Sequence, residues 1–274
     1  MNAPFRTIEI SNPAYEQDGL RNVTVKTSNL AGRGDITVWI PAAELIGREP
    51  LPLVILLHGV YGSHWCWSLK GGAHRTADRL MRAGQIRPMV IAMPSDGLWG
   101  DGSGYLPHNA RDFERWIVED VPQAVLAALP VGQAVTFFTN LFIAGLSMGG
   151  YGALRLAATY PDRFRAAYGL SSITHADQLP LFVEEPLSHY TQPDPATESV
   201  LAMMVRNQNR LPAIAFDCGT EDLLLEHNRA LHRGLTQHGI SHQYIEHPGG
   251  HEWPYWEAHL ADALLFFTQW IRRA

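Results

Sequence analysis

Leu141-Phe-Ile-Ala-Gly145-Leu146-Ser147-Met148-Gly149-Gly-Tyr-Gly-Ala153 is the stretch on which the reading of this chain turns. Its first residues are a β-rich apolar run, its middle is a Gly-x-Ser-x-Gly pattern, and Tyr151 to Tyr160, closed by Pro161, reads as a helix. The five-letter pattern alone arises by chance in glycine-rich loops. A strand before it and a helix after it are the context its chemistry requires. A serine on so sharp a strand-to-helix turn takes up strained backbone angles, and glycines at 145 and 149 relieve the crowding while Oγ projects above the sheet edge. The helix N-terminus behind it favours developing negative charge. Ser147 is therefore the candidate nucleophile.

Working outward, the runs Leu53–Leu57, Met89–Met93, Leu141–Gly145, Ala166–Leu170, Ala213–Asp217 and Gln243–His247 are near-continuously apolar or β-rich. Strands of that kind are buried on both faces, as in a parallel sheet. Between them lie amphipathic stretches: Phe113, Trp116, Ile117 and Val121, then Val125, Leu126 and Leu129, with Pro122 marking a kink or restart; Leu223 to Gln237, stopped by Gly239; and a last stripe of Trp256, Leu260, Leu264, Phe267 and Ile271. Alternation of strand and helix predicts a doubly wound, mostly parallel α/β sheet. The N-terminal part differs, since Phe5–Ile10, Arg21–Lys26 and Ile36–Ile40 are separated by turn signals and predict antiparallel strands. The whole of 1–274 reads as a single domain. Residues 175–212, with Pro180, Pro186, Pro193 and Pro195 and a helix around Val200 to Asn207, form a connection too long for a compact fold unless it is a lid or pocket insertion.

Composition narrows the function classes. With 46% hydrophobic and 18% charged residues the chain has the makeup of a globular protein, which excludes disorder and fibre. Its formal charge is −6 and it has no basic run, so neither nucleic acid nor an anionic membrane is expected as a partner. The longest apolar runs, Leu53–Leu57 and Ala263–Phe267, fall far short of the ~18 residues that cross a bilayer. Met1-Asn-Ala-Pro-Phe-Arg6 has no signal-peptide core, so a cytoplasmic location is expected. Cys66 and Cys218 are too few and too far apart for a disulfide framework or a zinc knuckle, and read as reduced structural thiols; no cofactor and no metal is expected.

A serine hydroxyl attacks only if a base takes its proton, so the pattern calls for a histidine downstream and an acid between them. Among thirteen histidines, His251 follows the last β-rich run through Pro248-Gly-Gly250 and precedes the final helix, which puts it on a loop at the C-terminal edge of the sheet. His58, His232, His238, His242 and His247 lie in or beside strands and helices and read as surface or structural. His247 and His251 have zinc-motif spacing, but the intervening Pro-Gly-Gly forbids the helix that would face both one way. For the acid, Asp217, Glu221 and Asp222 compete around the Gly219 turn. Asp222 is favoured because it lies past the turn, although the N-cap of the next helix would use the same residue. The order Ser147, Asp222, His251 is that of α/β-hydrolases. One oxyanion donor is the backbone N–H of Met148; the other is that of Val60, after the strand-ending pair His58-Gly59, a pair that also suits an ordinary turn.

Leu56-Leu-His-Gly-Val60, Gly145-Leu-Ser-Met-Gly-Gly-Tyr-Gly-Ala153, Cys218-Gly-Thr-Glu-Asp-Leu-Leu-Leu-Glu-His-Asn228 and Pro248-Gly-Gly-His-Glu-Trp-Pro-Tyr-Trp256 together resemble the esterase D-like family of α/β-hydrolases. That family includes S-formylglutathione hydrolases, tributyrin-type short-chain esterases, feruloyl esterases and mycolyltransferases. Thr27–Arg33 and Val38-Trp-Ile-Pro41 also resemble its first strands, and His-Glu-Trp and Gly-Tyr-Gly-Ala most resemble the tributyrin type. The resemblance implies Ser147, Asp222 and His251 as a triad with Val60 and Met148 as oxyanion donors. Tyr61-Gly-Ser-His-Trp-Cys-Trp67 departs from the Thr-Cys-Thr run usual in S-formylglutathione hydrolases, which counts against a glutathione thioester.

Trp99 and Tyr105, in a glycine-rich loop off a strand's C-terminal end, and Tyr61 are the candidate substrate contacts. Trp253 or Trp256 reads as core. The function expected is a serine carboxylesterase acting on small short-chain acyl esters through an acyl-enzyme, with a small-molecule ester as its partner and homo-oligomerisation left open. An S-formylglutathione hydrolase-like thioesterase or an acyltransferase keeps the same triad. A catalytically silent binding module of the same fold would have no need of all three residues.

Overall fold

The computed structural model describes residues 5–46, 50–130, 132–137 and 139–272. Residues 1–4, read above for a leader, lie outside them. Among the described residues nine strands form one sheet: β1 (Thr7–Ile10), β2 (Leu20–Thr27), β3 (Gly32–Trp39), β4 (Leu53–Leu57), β5 (Val90–Pro94), β6 (Leu141–Leu146), β7 (Ala166–Leu170), β8 (Ala213–Gly219) and β9 (Gln243–His247), in the order β1-β2-β3-β5-β4-β6-β7-β8-β9. β1, β2, β3 and β5 pair antiparallel in turn, and every pairing from β5 through β4 to β9 is parallel. This is the mixed, mostly parallel α/β sheet with antiparallel N-terminal strands that the apolar runs and turn signals predict.

The helices are α1 (Ala43–Ile46), α2 (Cys66–Leu69), α3 (Ala73–Arg82), α4 (Phe113–Arg115), α5 (Val121–Ala128), α6 (Met148–Thr159), α7 (Val200–Arg206), α8 (Leu225–Gln237) and α9 (Trp253–Thr268). They divide between the two faces of the sheet because the strand side chains alternate. Leu53, Ile55 and Leu57 of β4 join one apolar core with residues of α5 to α8, while Val54 and Leu56 join the other with α3 and α9. Between α4 and α5 the chain makes a π turn, Trp116–Asp120, closed by the Val121 N–H on the Trp116 carbonyl. Pro122 comes directly after that turn, at the second position of α5.

The long connection after β7 folds into three short 3₁₀ turns and α7. It is tied to the loop after β5 at several points: Tyr190 OH donates to the Gly102 carbonyl (2.8 Å), Asp101 N–H to Glu185 Oε1 (2.9 Å) and Glu184 N–H to Asp101 Oδ2 (2.9 Å). Tyr190, Leu179 and Val183 are buried beneath it in the core. No helix among the described residues is long and apolar enough to cross a membrane.

Candidate active site

Ser147 stands between the end of β6 and the first residue of α6, with φ 54° and ψ −119°. An L-residue there is strained, and its surroundings hold it: its N–H donates to the Leu170 carbonyl (2.9 Å), and its carbonyl accepts from Tyr151 (3.0 Å) and Ile173 (3.2 Å). The two flanking glycines are needed for space. A Cβ on Gly145 would stand 2.2 Å from the Gly149 carbonyl oxygen, and one on Gly149 would stand 2.3 Å from the Leu57 oxygen. The turn therefore closes only if positions 145 and 149 carry no side chain.

His251 follows β9 on the loop to α9. Its Nε2 lies 2.9 Å from Ser147 Oγ, and its Nδ1 lies 2.9 and 3.1 Å from the two oxygens of Asp222. Nδ1–H donates to the carboxylate, which leaves Nε2 as acceptor for the serine proton. Asp222 Oδ1 also accepts the Leu224 N–H (2.8 Å), which orients the carboxylate from its own turn. Burial alone would raise the Asp222 carboxyl, but the hydrogen bond and charge of His251 and the Leu224 N–H outweigh it and hold the group below the usual carboxylate range.

The structure thus brings Asp222 to His251 and leaves the two competing acids elsewhere. Glu221 is exposed, its N–H bonded to the Gly249 carbonyl. Asp217 is wholly buried behind the site, where Oδ1 accepts from Tyr255 OH (2.8 Å). Burial pushes its carboxyl up to about 7, against the opposing hydrogen bonds of Tyr255 and Tyr168.

Gly59 lies against Ser147: a Cβ on it would be 2.8 Å from Leu146 Cδ1 and 3.2 Å from Ser147 Cβ. This approach carries Val60 to the wall of a cleft of ≈ 500 Å³ that also exposes Ser147 and His251. The Met148 N–H, first in α6, has no intrahelical acceptor and shares the positive end of that helix. His58 supports the loop from behind. Its Nε2 accepts the Asp96 N–H (3.0 Å), so Nδ1 carries the ring proton and donates to the Gly59 carbonyl (2.7 Å).

Of the three candidate substrate contacts, Tyr61 lines the cleft and is 69% exposed, and its hydroxyl donates to the Phe182 carbonyl (2.7 Å). Tyr105, expected at the substrate, does not line the cleft. It is 0% exposed and donates its hydroxyl to the His58 carbonyl (3.0 Å), so it braces the His58–Val60 loop from inside the core, out of reach of a substrate. Trp99 is also set off from the cleft. Its indole packs edge-on against His108, His189 and Tyr190 (4.4, 5.6 and 5.8 Å between ring centroids), at the joint between the β5 loop and the 175–212 connection.

Other aromatics take the places expected of Trp99 and Tyr105. Phe182, from the 175–212 connection, stacks on His251 at 5.1 Å and 27° and roofs the cleft. Trp65, Trp253 and Trp256 line it, with Trp256 edge-on to His251 at 5.0 Å, so both tryptophans after His251, one of which was expected in the core, stand in the wall. No sequence period announces these contacts, because each joins segments far apart in the chain. The one available signal was the position of Trp253 and Trp256, immediately after His251.

A family model described as "Putative esterase" matches residues 33–267. An acetyl esterase of Caldicellulosiruptor saccharolyticus is 26% identical over 242 residues, covering 82% of this chain and 86% of that protein. Among solved structures, a ferulic acid esterase superposes with a TM-score of 0.77 at 22% identity, over 97% of this chain and 100% of the other. An S-formylglutathione hydrolase of Staphylococcus aureus superposes with a TM-score of 0.75 at 19% identity, over 95% and 99%.

Proposed function

The chain belongs to the esterase family whose model spans it, a family of carboxylic ester hydrolases with the α/β-hydrolase fold, and on that premise we propose that it cleaves small, short-chain acyl esters through a serine acyl-enzyme. The observation that carries this reading is the continuous hydrogen-bonded line from Ser147 Oγ through His251 to Asp222, opening onto the cleft beside Val60.

In the proposed reaction, Ser147 Oγ attacks the ester carbonyl while His251 Nε2 takes its proton, and Asp222 stabilises the imidazolium that forms. The carbonyl oxygen becomes an oxyanion facing the N–H groups of Val60 and Met148, placed where the negative charge develops. Collapse of the tetrahedral intermediate breaks the C–O bond to the leaving alkoxide, which receives the proton from His251. Water, activated by the same imidazole, then attacks the acyl-serine, and a second collapse restores Ser147 and releases the carboxylic acid.

Short chains are favoured by the walls. The Phe182 ring, tied down through its carbonyl to Tyr61, and the indoles of Trp65, Trp253 and Trp256 enclose the space beside Ser147. A methylene that fits contributes about 0.8 kcal/mol and one that clashes loses at least as much, so activity should peak with chain length and then fall. A panel of nitrophenyl esters tests this: acetyl to butyryl esters should give the highest kcat/KM. A profile still rising beyond eight acyl carbons would overturn the short-chain assignment.

A further inference from the structure

His247, His259 and Asp262 form a cluster outside the cleft that the esterase chemistry does not use. Among the described residues it is the one group of three or more His, Cys, Asp or Glu donors whose ligand atoms all lie within 4.8 Å of one another. His247 is the last residue of β9, and His259 and Asp262 stand three apart on α9 and so share a face of that helix. We propose that this cluster binds a divalent transition-metal ion, zinc foremost, and so clamps the loop carrying His251 to α9.

The first support is an orphan. His247 Nε2 is shielded from solvent and has no hydrogen-bond partner, and it faces Asp262 Oδ2 across 3.9 Å, too far for a hydrogen bond. The bland reading, in which Asp262 simply holds His259, explains the 2.9 Å contact to His259 Nδ1 but leaves the His247 nitrogen unpaired. An ion would satisfy it. Two ligands on a tetrahedral zinc, each about 2.0–2.1 Å from the metal, stand roughly 3.3 Å apart, and the separations of 2.9 and 3.9 Å fall on either side of that value.

The second support is chemical. Two imidazoles and one carboxylate suit zinc, nickel or copper, whereas magnesium and calcium ask for oxygen. All three residues are half-buried, which leaves an outward position for water. The imidazoles of His247 and His259 lie stacked at 3.9 Å and 17°, so binding requires the rings to turn toward Asp262.

The position gives the ion a consequence. Pro248-Gly249-Gly250-His251-Glu252 joins His247 to the start of α9, and the clamp ties together its two flanks. That loop is already fastened to the acid's turn, through Thr220 N–H on the His247 carbonyl and Glu221 N–H on the Gly249 carbonyl. Metal binding would stiffen the remaining side.

The test is a zinc titration of the untagged, chelator-treated full chain by native mass spectrometry, with thermal unfolding in parallel. One zinc per chain is expected, with a rise in Tm of roughly 5–10 °C at a hundredfold excess over Kd. His247→Gln, His259→Gln and Asp262→Asn should each weaken binding by roughly tenfold or more, and His251→Ala should keep it. Asp262→Asn, a near-isosteric change on a half-exposed helix face, keeps the test decisive if a histidine variant fails to fold. Absence of one-to-one binding, binding unchanged in Asp262→Asn, or binding lost in His251→Ala would overturn the proposal. None of these readouts depends on esterase activity, so the two readings stand or fall separately.

Discussion

Replacing Ser147 by glycine should stabilise the fold relative to replacing it by alanine, although both variants lose the side-chain hydroxyl. Ser147 is held at φ 54° and ψ −119°, where a side chain costs about 1–3 kcal/mol and glycine costs almost nothing. Ser147→Ala keeps the Cβ and therefore the strain; Ser147→Gly removes it. Against this gain stands the greater freedom of glycine in the unfolded chain, about 0.5–1 kcal/mol. Both variants lose the 2.9 Å hydrogen bond to His251, so that term cancels in the comparison. The glycine variant should be more stable than the alanine variant by about 0.5–2 kcal/mol, or roughly 1–8 °C in Tm for a chain of this size. Urea unfolding of the two variants side by side measures it. A glycine variant equal to or less stable than the alanine variant would refute the claim that the turn stores strain at residue 147.

Asp222→Asn should lower kcat by about 10⁴-fold with the fold intact, because an amide no longer holds Nδ1–H toward itself, while Asp217→Asn should stay within about tenfold of wild type; steady-state kinetics of the pair decide which acid serves His251. Asp217 also has a pH signature. Its carboxyl is raised to about 7 in the folded protein, so the native state holds a proton that the unfolded state has released, and stability falls as pH rises from about 4 to 7. Asp217→Asn should remove that slope, gaining on wild type by on the order of 4 kcal/mol between pH 4 and pH 8. Denaturant melts across that range check it, and parallel curves for the two proteins would contradict it.

The parallel part of the sheet was legible because strands buried on both faces leave unbroken apolar runs, and β4, β6 and β7 show no polar residue that could blur them. Ser147 and His251 were legible for a different reason. The strand-to-helix turn and the Pro-Gly-Gly loop are local, and local geometry is written in adjacent residues. Asp222 was less distinct, since Asp217, Glu221 and Asp222 lie within six positions and only the three-dimensional course of the turn separates the residue at His251 from the one beneath Tyr255. The cleft walls were least legible. Tyr105 and Trp99 occupy a loop of the right kind, yet their side chains turn inward or sideways, and the ring that covers His251 comes from Phe182, 69 residues before it in sequence. Which long-range side chain fills a gap is settled by packing, which no periodicity encodes.

The central claim, that Ser147 is the residue acylated in turnover, is tested most directly by intact-protein mass spectrometry after reaction with an organophosphorus ester probe. One adduct per chain is expected, mapping to Ser147 on peptide analysis and forming in step with loss of ester hydrolysis. Ser147→Ala should take up no label and hydrolyse no ester. Stoichiometric labelling of the alanine variant, or an adduct on another residue of the wild type, would contradict the account.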